Sequence, residues 1–195
     1  MNEHHVPQIS CVPGITDSQW DGIPSLDVNF FPWEGYFEGV RTTVKVASTE
    51  DALVLHYETD ERPLRAVNTE QNSPVCQDSC MEFFFRGDDP AHYINLEINP
   101  LGTLYANMDH KPIPVDGKML NIVSMITPEK WVLQFEVSFG LFQRYFGQLQ
   151  DHLYCNFYKC GDLTGHEHYA CWNPVPGDKP KFHQPEHFGK LIVKG

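Results

Sequence analysis

Three pairs of short alternating segments, each pair joined by a polar turn, constrain this chain more than any other feature. Thr43–Ala47 and Leu53–Thr59 flank Ser48-Thr49-Glu50-Asp51, and His92–Ile98 and Thr103–Met108 flank Asn99-Pro100-Leu101-Gly102. Met119–Ile126 and Trp131–Phe139 flank Thr127-Pro128-Glu129-Lys130. Period-two runs bounded by Pro, Gly, Asn and Asp read as hairpins. Cys80–Arg86, Leu153–Lys159 and Lys190–Lys194 read as further strands, and the first of these stops at Gly87-Asp88-Asp89-Pro90. Gly140–Gly147 carries Leu141, Phe142, Tyr145 and Phe146 at helical spacing and reads as one short helix. About nine strands with no helices between them exclude parallel βαβ units and predict an all-β antiparallel sandwich or barrel.

The 195 residues suit one domain. Residues 1–40 read as a wrapping segment of that domain, with Trp20, Phe30, Phe31, Trp33, Tyr36 and Phe37 as anchors, and Pro24, Pro32 and Gly35 interrupt any period there. Residues 41–195 carry the strands. A net charge of −12 argues against nucleic acid and anionic membrane surfaces, since phosphate binding needs clustered Lys and Arg. A neutral polar ligand or a cation is compatible with it. No run approaches the eighteen apolar residues of a membrane span. The N-terminus lacks a basic start and an apolar stretch, so a cytoplasmic location is expected if Met1 is the native start, and a secreted or periplasmic one otherwise. The six cysteines are then expected as free or buried thiols.

Strand parity separates two faces. Trp131, Leu133, Phe135, Val137 and Phe139 share one side; so do Met81, Phe83 and Phe85, then Ile94, Leu96 and Ile98, then Leu153, Cys155 and Phe157. These form the expected core. The opposite face collects Glu82, Asn95, Glu97, Tyr105, Asn107, Asn156 and Tyr158, nearly free of Lys and Arg. Amides and carboxylates can bond sugar hydroxyls in pairs, and aromatic rings can stack on the apolar side of a pyranose. An ordinary solvated sheet face would show the same pattern.

Several pieces in order carry a family resemblance. They are Pro74–Phe85 with its Cys80-Met81-Glu82-Phe83-Phe84-Phe85 strand, Tyr93–Asn99 followed by Gly102-Thr103, Asn156–Asp162, His168–Pro174 and Phe182–Gly189. Together they resemble the family 9 carbohydrate-binding-module-like domains, part of the wider DOMON-like group. The resemblance covers about residue 40 to the end. It implies an immunoglobulin-like antiparallel β-sandwich and a lectin-like, non-catalytic role in binding the ends of sugar chains. It also implies Glu82 as the signature carboxylate, Asn156 as an amide ligand and Trp172 as a stacking ring. Sugar-binding members often place an aromatic six positions before the signature Glu, where this chain has Cys76. Some relatives carry structural calcium, and other DOMON-like branches hold haem.

Other constellations compete. Asp60, Glu61, Asp88 and Asp89 at strand ends are hard oxygen ligands suited to calcium, though solvated turn charges look the same. Cys155, Cys160, His166, His168 and Cys171 gather soft ligands, but parity turns Cys155 inward and no CxxC pair occurs. Cys76 and Cys80 read as inert thiols, lacking an adjacent Lys or Arg. Glu82 and Glu97 invite a glycoside-hydrolase alternative, against which a shallow sheet face offers little desolvation. A haem module would draw on Met81, Met108, His92 or His110, and a protein-docking scaffold is the remaining alternative. No GxSxG elbow, P-loop or GxGxxG is present.

Overall fold

The structure, a computed structural model, describes residues 1–193. Its strands are β1 (Glu3–His5), β2 (Ser25–Asp27), β3 (Thr42–Ser48), β4 (Ala52–Thr59), β5 (Cys80–Arg86), β6 (Ile94–Ile98) and β7 (Leu104–Met108). They continue with β8 (Lys111–Pro112), β9 (Val123–Ile126), β10 (Trp131–Ser138), β11 (His152–Cys160), β12 (Tyr169–Cys171) and β13 (Gly189–Ile192), and the helix α1 (Phe139–Phe146) follows β10. Five strands form one sheet in the order β2-β3-β4-β10-β9. The other sheet runs β1-β13-β11-β5-β6-β7-β8, with β12 also paired to β11.

All three expected hairpins form, as β3–β4, β6–β7 and β9–β10. Their turns are held as their residues suggest. Asn99 Oδ1 accepts from the N–H groups of Leu101 and Thr103, both at 3.0 Å. Gly102 there has φ +77°, a conformation that favours glycine. Thr127 Oγ1 accepts from the Lys130 N–H at 3.1 Å. The expected β10 end at Phe139 moves to Ser138, because the Ser138 hydroxyl caps α1 by accepting from Leu141 N–H at 3.1 Å. The strand expected from Met119 begins only at Val123, since residues 117–122 form turns and Asn121 has φ 47°. Residues 1–40 are more structured than loop: β1 lies parallel to β13, and β2 extends the smaller sheet beside β3. Lys194, expected in the last strand, lies outside the described residues.

Between the sheets, Trp131, Leu133, Phe135 and Val137 of β10 meet Phe83, Phe85, Leu96 and Phe157. Parity predicted these residues. Each buried side chain of this size contributes about 1.5–3 kcal/mol, so the two layers are bound mainly by this seam.

The outward faces depart from expectation. A face that alternates with a core usually meets water, yet chain segments cover both here. Over the smaller sheet, Trp20 stacks on His56 with ring centres 4.5 Å apart, and Ala47 and Val54 pack beneath it. Over the larger sheet, Trp33, Val75, Val175, Phe182 and Phe188 form a roof on Cys80, Phe84, Tyr158 and Cys160.

Candidate functional site: a cleft under the roof of the larger sheet

Strand register lays the polar residues in rows beneath that roof. Tyr158, Glu82, Glu97 and Tyr105 are successive cross-strand partners on β11, β5, β6 and β7. Asn156, Phe84, Asn95 and Asn107 make the next row. Cross-strand partners hold their Cβ atoms roughly 4.5–5.5 Å apart, so the two carboxyls stand side by side.

The roof does not close over them. A cleft of ≈ 240 Å³ has Glu82 and Glu97 in its lining, with Asp162, Tyr169, Phe182 and His183 around them. Phe182 is fixed by stacking on Tyr158 at 4.1 Å between centres and by the Tyr158 hydroxyl, which donates to its carbonyl at 3.1 Å. His183 Nδ1 lies 2.7 Å from the Tyr93 hydroxyl. Burial, then His110 and Lys181, lowers its pKa to about 4, so the ring is neutral at ordinary pH and shares a hydrogen bond with the Tyr93 hydroxyl. A larger groove of ≈ 650 Å³ near Gln71, Leu101 and Lys118 has no carboxyl pair of this kind.

The floor is strongly polar for a buried place. Glu82 and Glu97 are only 3% and 6% exposed. Burial, then the Glu97 charge, pushes the Glu82 pKa well up. Burial raises Glu97 to about 7, against an opposing hydrogen bond from Asn95. Asn95 Nδ2 donates to Glu97 Oε1 at 2.8 Å. The Asn95 Oδ1 and Asn107 Nδ2 atoms are buried without a partner among the described residues. Buried polar atoms are almost always bonded, so an orphaned acceptor and donor beside a carboxyl pair mark a place for a hydroxyl-bearing ligand or water.

The sequence model of carbohydrate-binding family 9 matches residues 15–193. The chain belongs to carbohydrate-binding family 9. Solved structures share the fold of this family 9 module. A Bacteroides uniformis protein proposed to be carbohydrate-binding superposes with TM-score 0.85 at 24% identity, over 98% of this chain and 99% of that one. A family 9 module from Caldicellulosiruptor kristjanssonii, solved with glucose, gives TM-score 0.72 at 13% identity over 100% and 96%. Its structure with cellotriose gives 0.70 at 13% over 100% and 94%. No curated protein matches the sequence at a significant level.

The module sets Glu82, Glu97, Asn95, Tyr105, Asn107, Asn156 and Tyr158 on one covered face, and of these Glu82 and Glu97 line the cleft; three of the residues expected to hold sugar are engaged elsewhere. Asn156 is spent on the backbone. Its Nδ2 donates to the Asn173 carbonyl at 2.8 Å, and its Oδ1 accepts from Asn173 N–H at 2.9 Å and Phe157 N–H at 3.0 Å. It fastens the seam where β11 changes partner from β13 to β12. Tyr158 is fully buried as the seat of Phe182. Trp172, expected to stack on sugar, lies in the inter-sheet core beside Phe157 at 5.3 Å. Its ring also lies on Gly189, where an added Cβ would come within 2.3 Å of it. The rings that do line the cleft were missed as site residues: Phe182 and His183 lie in 172–188, which carries no strand period, and Tyr169 lies in the quoted His168–Pro174 piece, where only Trp172 was singled out.

The other constellations also resolve. Glu61 is buried in an ion pair, its Oε2 2.6 Å from Lys159 Nζ, and its Oε1 accepts from Ser79. Asp60 accepts from Arg41 N–H, Asp88 pairs with His152, and Asp89 accepts from Ala91 N–H. These four carboxyls therefore do not converge on a calcium cage. Cys155 lies in the core while Cys160 and Cys171 lie under the roof, so the expected soft-ligand set is split. His168 contacts Lys159 and the His166 carbonyl. All six cysteines are free. Met81 is core, and His92 pairs with Asp109. One expectation reverses: the sheet face is not shallow, and both Glu82 and Glu97 are strongly desolvated.

Proposed function

We propose that this module binds a saccharide, a single ring or the end of a short chain, in the cleft above Glu82 and Glu97. The observation that carries the reading is the pair of buried carboxyls flanked by the orphaned Asn95 and Asn107 amide atoms. Carboxyls accept from sugar hydroxyls, and Asn95 Oδ1 and Asn107 Nδ2, in the row beside the carboxyls, offer an acceptor and a donor to a water that bridges to the ligand. Tyr169, Phe182 and His183 offer ring surface for the apolar side of the sugar. The volume is below the roughly 300–1,000 Å³ of drug-sized pockets, which favours a small ligand. The glucose and cellotriose bound by the Caldicellulosiruptor kristjanssonii module support the same class.

The role proposed is binding without turnover. Hydrolysis needs two carboxyls placed about a glycosidic bond, one as acid and one as nucleophile or base. Glu82 and Glu97 are neighbours in one row of the sheet and reach a ligand from the same side. Their raised pKa values serve hydrogen bonding, because a carboxyl that keeps its proton can both donate and accept.

Amide-resolved NMR tests the site. Titration with glucose and cello-oligosaccharides should shift the side-chain amide signals of Asn95 and Asn107 and leave that of Gln134 unmoved. Shifts confined to other surfaces would place the ligand elsewhere, and release of reducing sugar would overturn the non-catalytic role.

A further inference from the structure

Two cysteines near the cleft are used by neither the inter-sheet core nor the saccharide reading. Cys80 and Cys160 are register partners on β5 and β11, both buried under the roof. The Glu82 carboxyl completes a trio with them. One ligand atom from each of Cys80, Glu82 and Cys160 lies within 4.8 Å of the others. The Cys160 thiol donates to Glu82 Oε1 at 2.9 Å. Among the described residues, this is the one such group of His, Cys, Asp or Glu.

Buried thiols usually pack as small hydrophobes. These two converge on a buried carboxyl that lacks an ion-pair partner among the described residues. Lys159, the cation that acts on Glu82, is held by Glu61 at 2.6 Å. A bound divalent ion would let two thiolates and a carboxylate be anionic together, each giving up its proton to solvent on binding. The donor softness selects zinc over calcium or magnesium. A tetrahedral zinc with bonds of about 2.3 Å to sulfur sets its sulfurs roughly 3.8 Å apart, so the two sulfurs need to close by at most about 1 Å. A fourth ligand lies in the same cleft, where Asp162 shares the lining with Glu82 and Cys160.

We propose that Cys80, Glu82 and Cys160 hold a zinc ion at the floor of the cleft, its fourth position facing Asp162. The site shares Glu82 with the saccharide reading but does not rest on it.

The test uses the full chain, reduced with a phosphine and stripped of metal. Cobalt(II), the spectroscopic stand-in, should bind at one equivalent, giving a near-ultraviolet thiolate charge-transfer band and the visible bands of a tetrahedral ion. Zinc should displace it. Both signals should vanish in Cys80→Ser/Cys160→Ser and persist in Cys11→Ser, which alters an exposed thiol. If the double variant does not fold, Glu82→Gln should still weaken zinc at least tenfold in a chelator competition. A folded, reduced wild type without the thiolate band, or bands that survive the double substitution, overturns the proposal. Sugar titration of the same metal-free sample separates the two readings. Sugar binding without a cobalt band removes zinc alone, whereas a band without sugar binding removes the saccharide alone.

Discussion

The two outward faces of the sandwich start from the same alternating pattern and end with opposite chemistry. On the smaller sheet the N-terminal segment covers the face and meets the polar groups of Lys45 and Gln134. Trp20 Nε1 donates to Gln134 Oε1 at 3.2 Å, Gln134 Nε2 donates to the Pro13 carbonyl at 2.9 Å, and His56 lies flat against Trp20. On the larger sheet the roof is aromatic and incomplete, and under it remain two carboxyls without cations and two amide atoms without partners among the described residues. A sealed face contributes stability. The incomplete one keeps desolvated polar groups that cost stability until something binds, and such local inconsistency is where function is expected.

The largest expected effect breaks the sealed face. Trp20→Ala should lower stability by about 3–5 kcal/mol in urea unfolding while leaving sugar affinity of the folded fraction unchanged. A loss of affinity without a loss of stability would mean the faces are not separate.

The next sharpens the open face through pH. Glu97 is raised to about 7 from an ordinary value of 4.5. Above pH 4.5 the unfolded chain releases a proton that the folded chain keeps, so stability falls as pH rises towards 7. That cost reaches roughly 3 kcal/mol at 1.36 kcal/mol per unit. The stability of Glu97→Gln relative to wild type should therefore grow from pH 4.5 to about 7 and then level off. A gap that stays flat would show Glu97 to be solvated. His168 and His183, both lowered to about 4, act oppositely: they destabilise the fold as pH falls below 6.5, in wild type and variant alike.

Smaller still is the effect of one ring. Phe182→Leu should weaken sugar binding by about 0.5–1.5 kcal/mol, the worth of an aromatic contact, read by calorimetry. Tyr169→Phe keeps the ring and removes only a hydroxyl that donates to the exposed Glu167 at 2.9 Å. It should change affinity by less than about 0.5 kcal/mol. A larger loss would put that hydroxyl on the ligand.

The sequence disclosed the sandwich because each strand states its own parity. Glu82, Asn95, Glu97, Tyr105 and Asn107 were assigned to one face by that rule and share it in the register, since facing one way on neighbouring strands is a local property. What covers a face is not local. Phe182 and His183 arrive beside Glu82 from a segment distant in the chain and without period, so nothing in their own spacing marks them. Asn156 and Trp172 misled for a related reason. Residue type fitted sugar, but the switch of β11 from β13 to β12 claimed the amide, and a glycine at the start of β13 made room in the core for the indole.

The account turns on Glu82, and calorimetric titration of glucose and cellotriose into wild type and Glu82→Gln tests it most directly. It predicts saturable binding by wild type and a roughly 2- to 10-fold weaker interaction in the variant, as expected for disturbing a neutral hydrogen bond worth about 0.5–1.5 kcal/mol, with an undiminished melting temperature. Equal affinity in both proteins, or no binding by folded wild type, would contradict it.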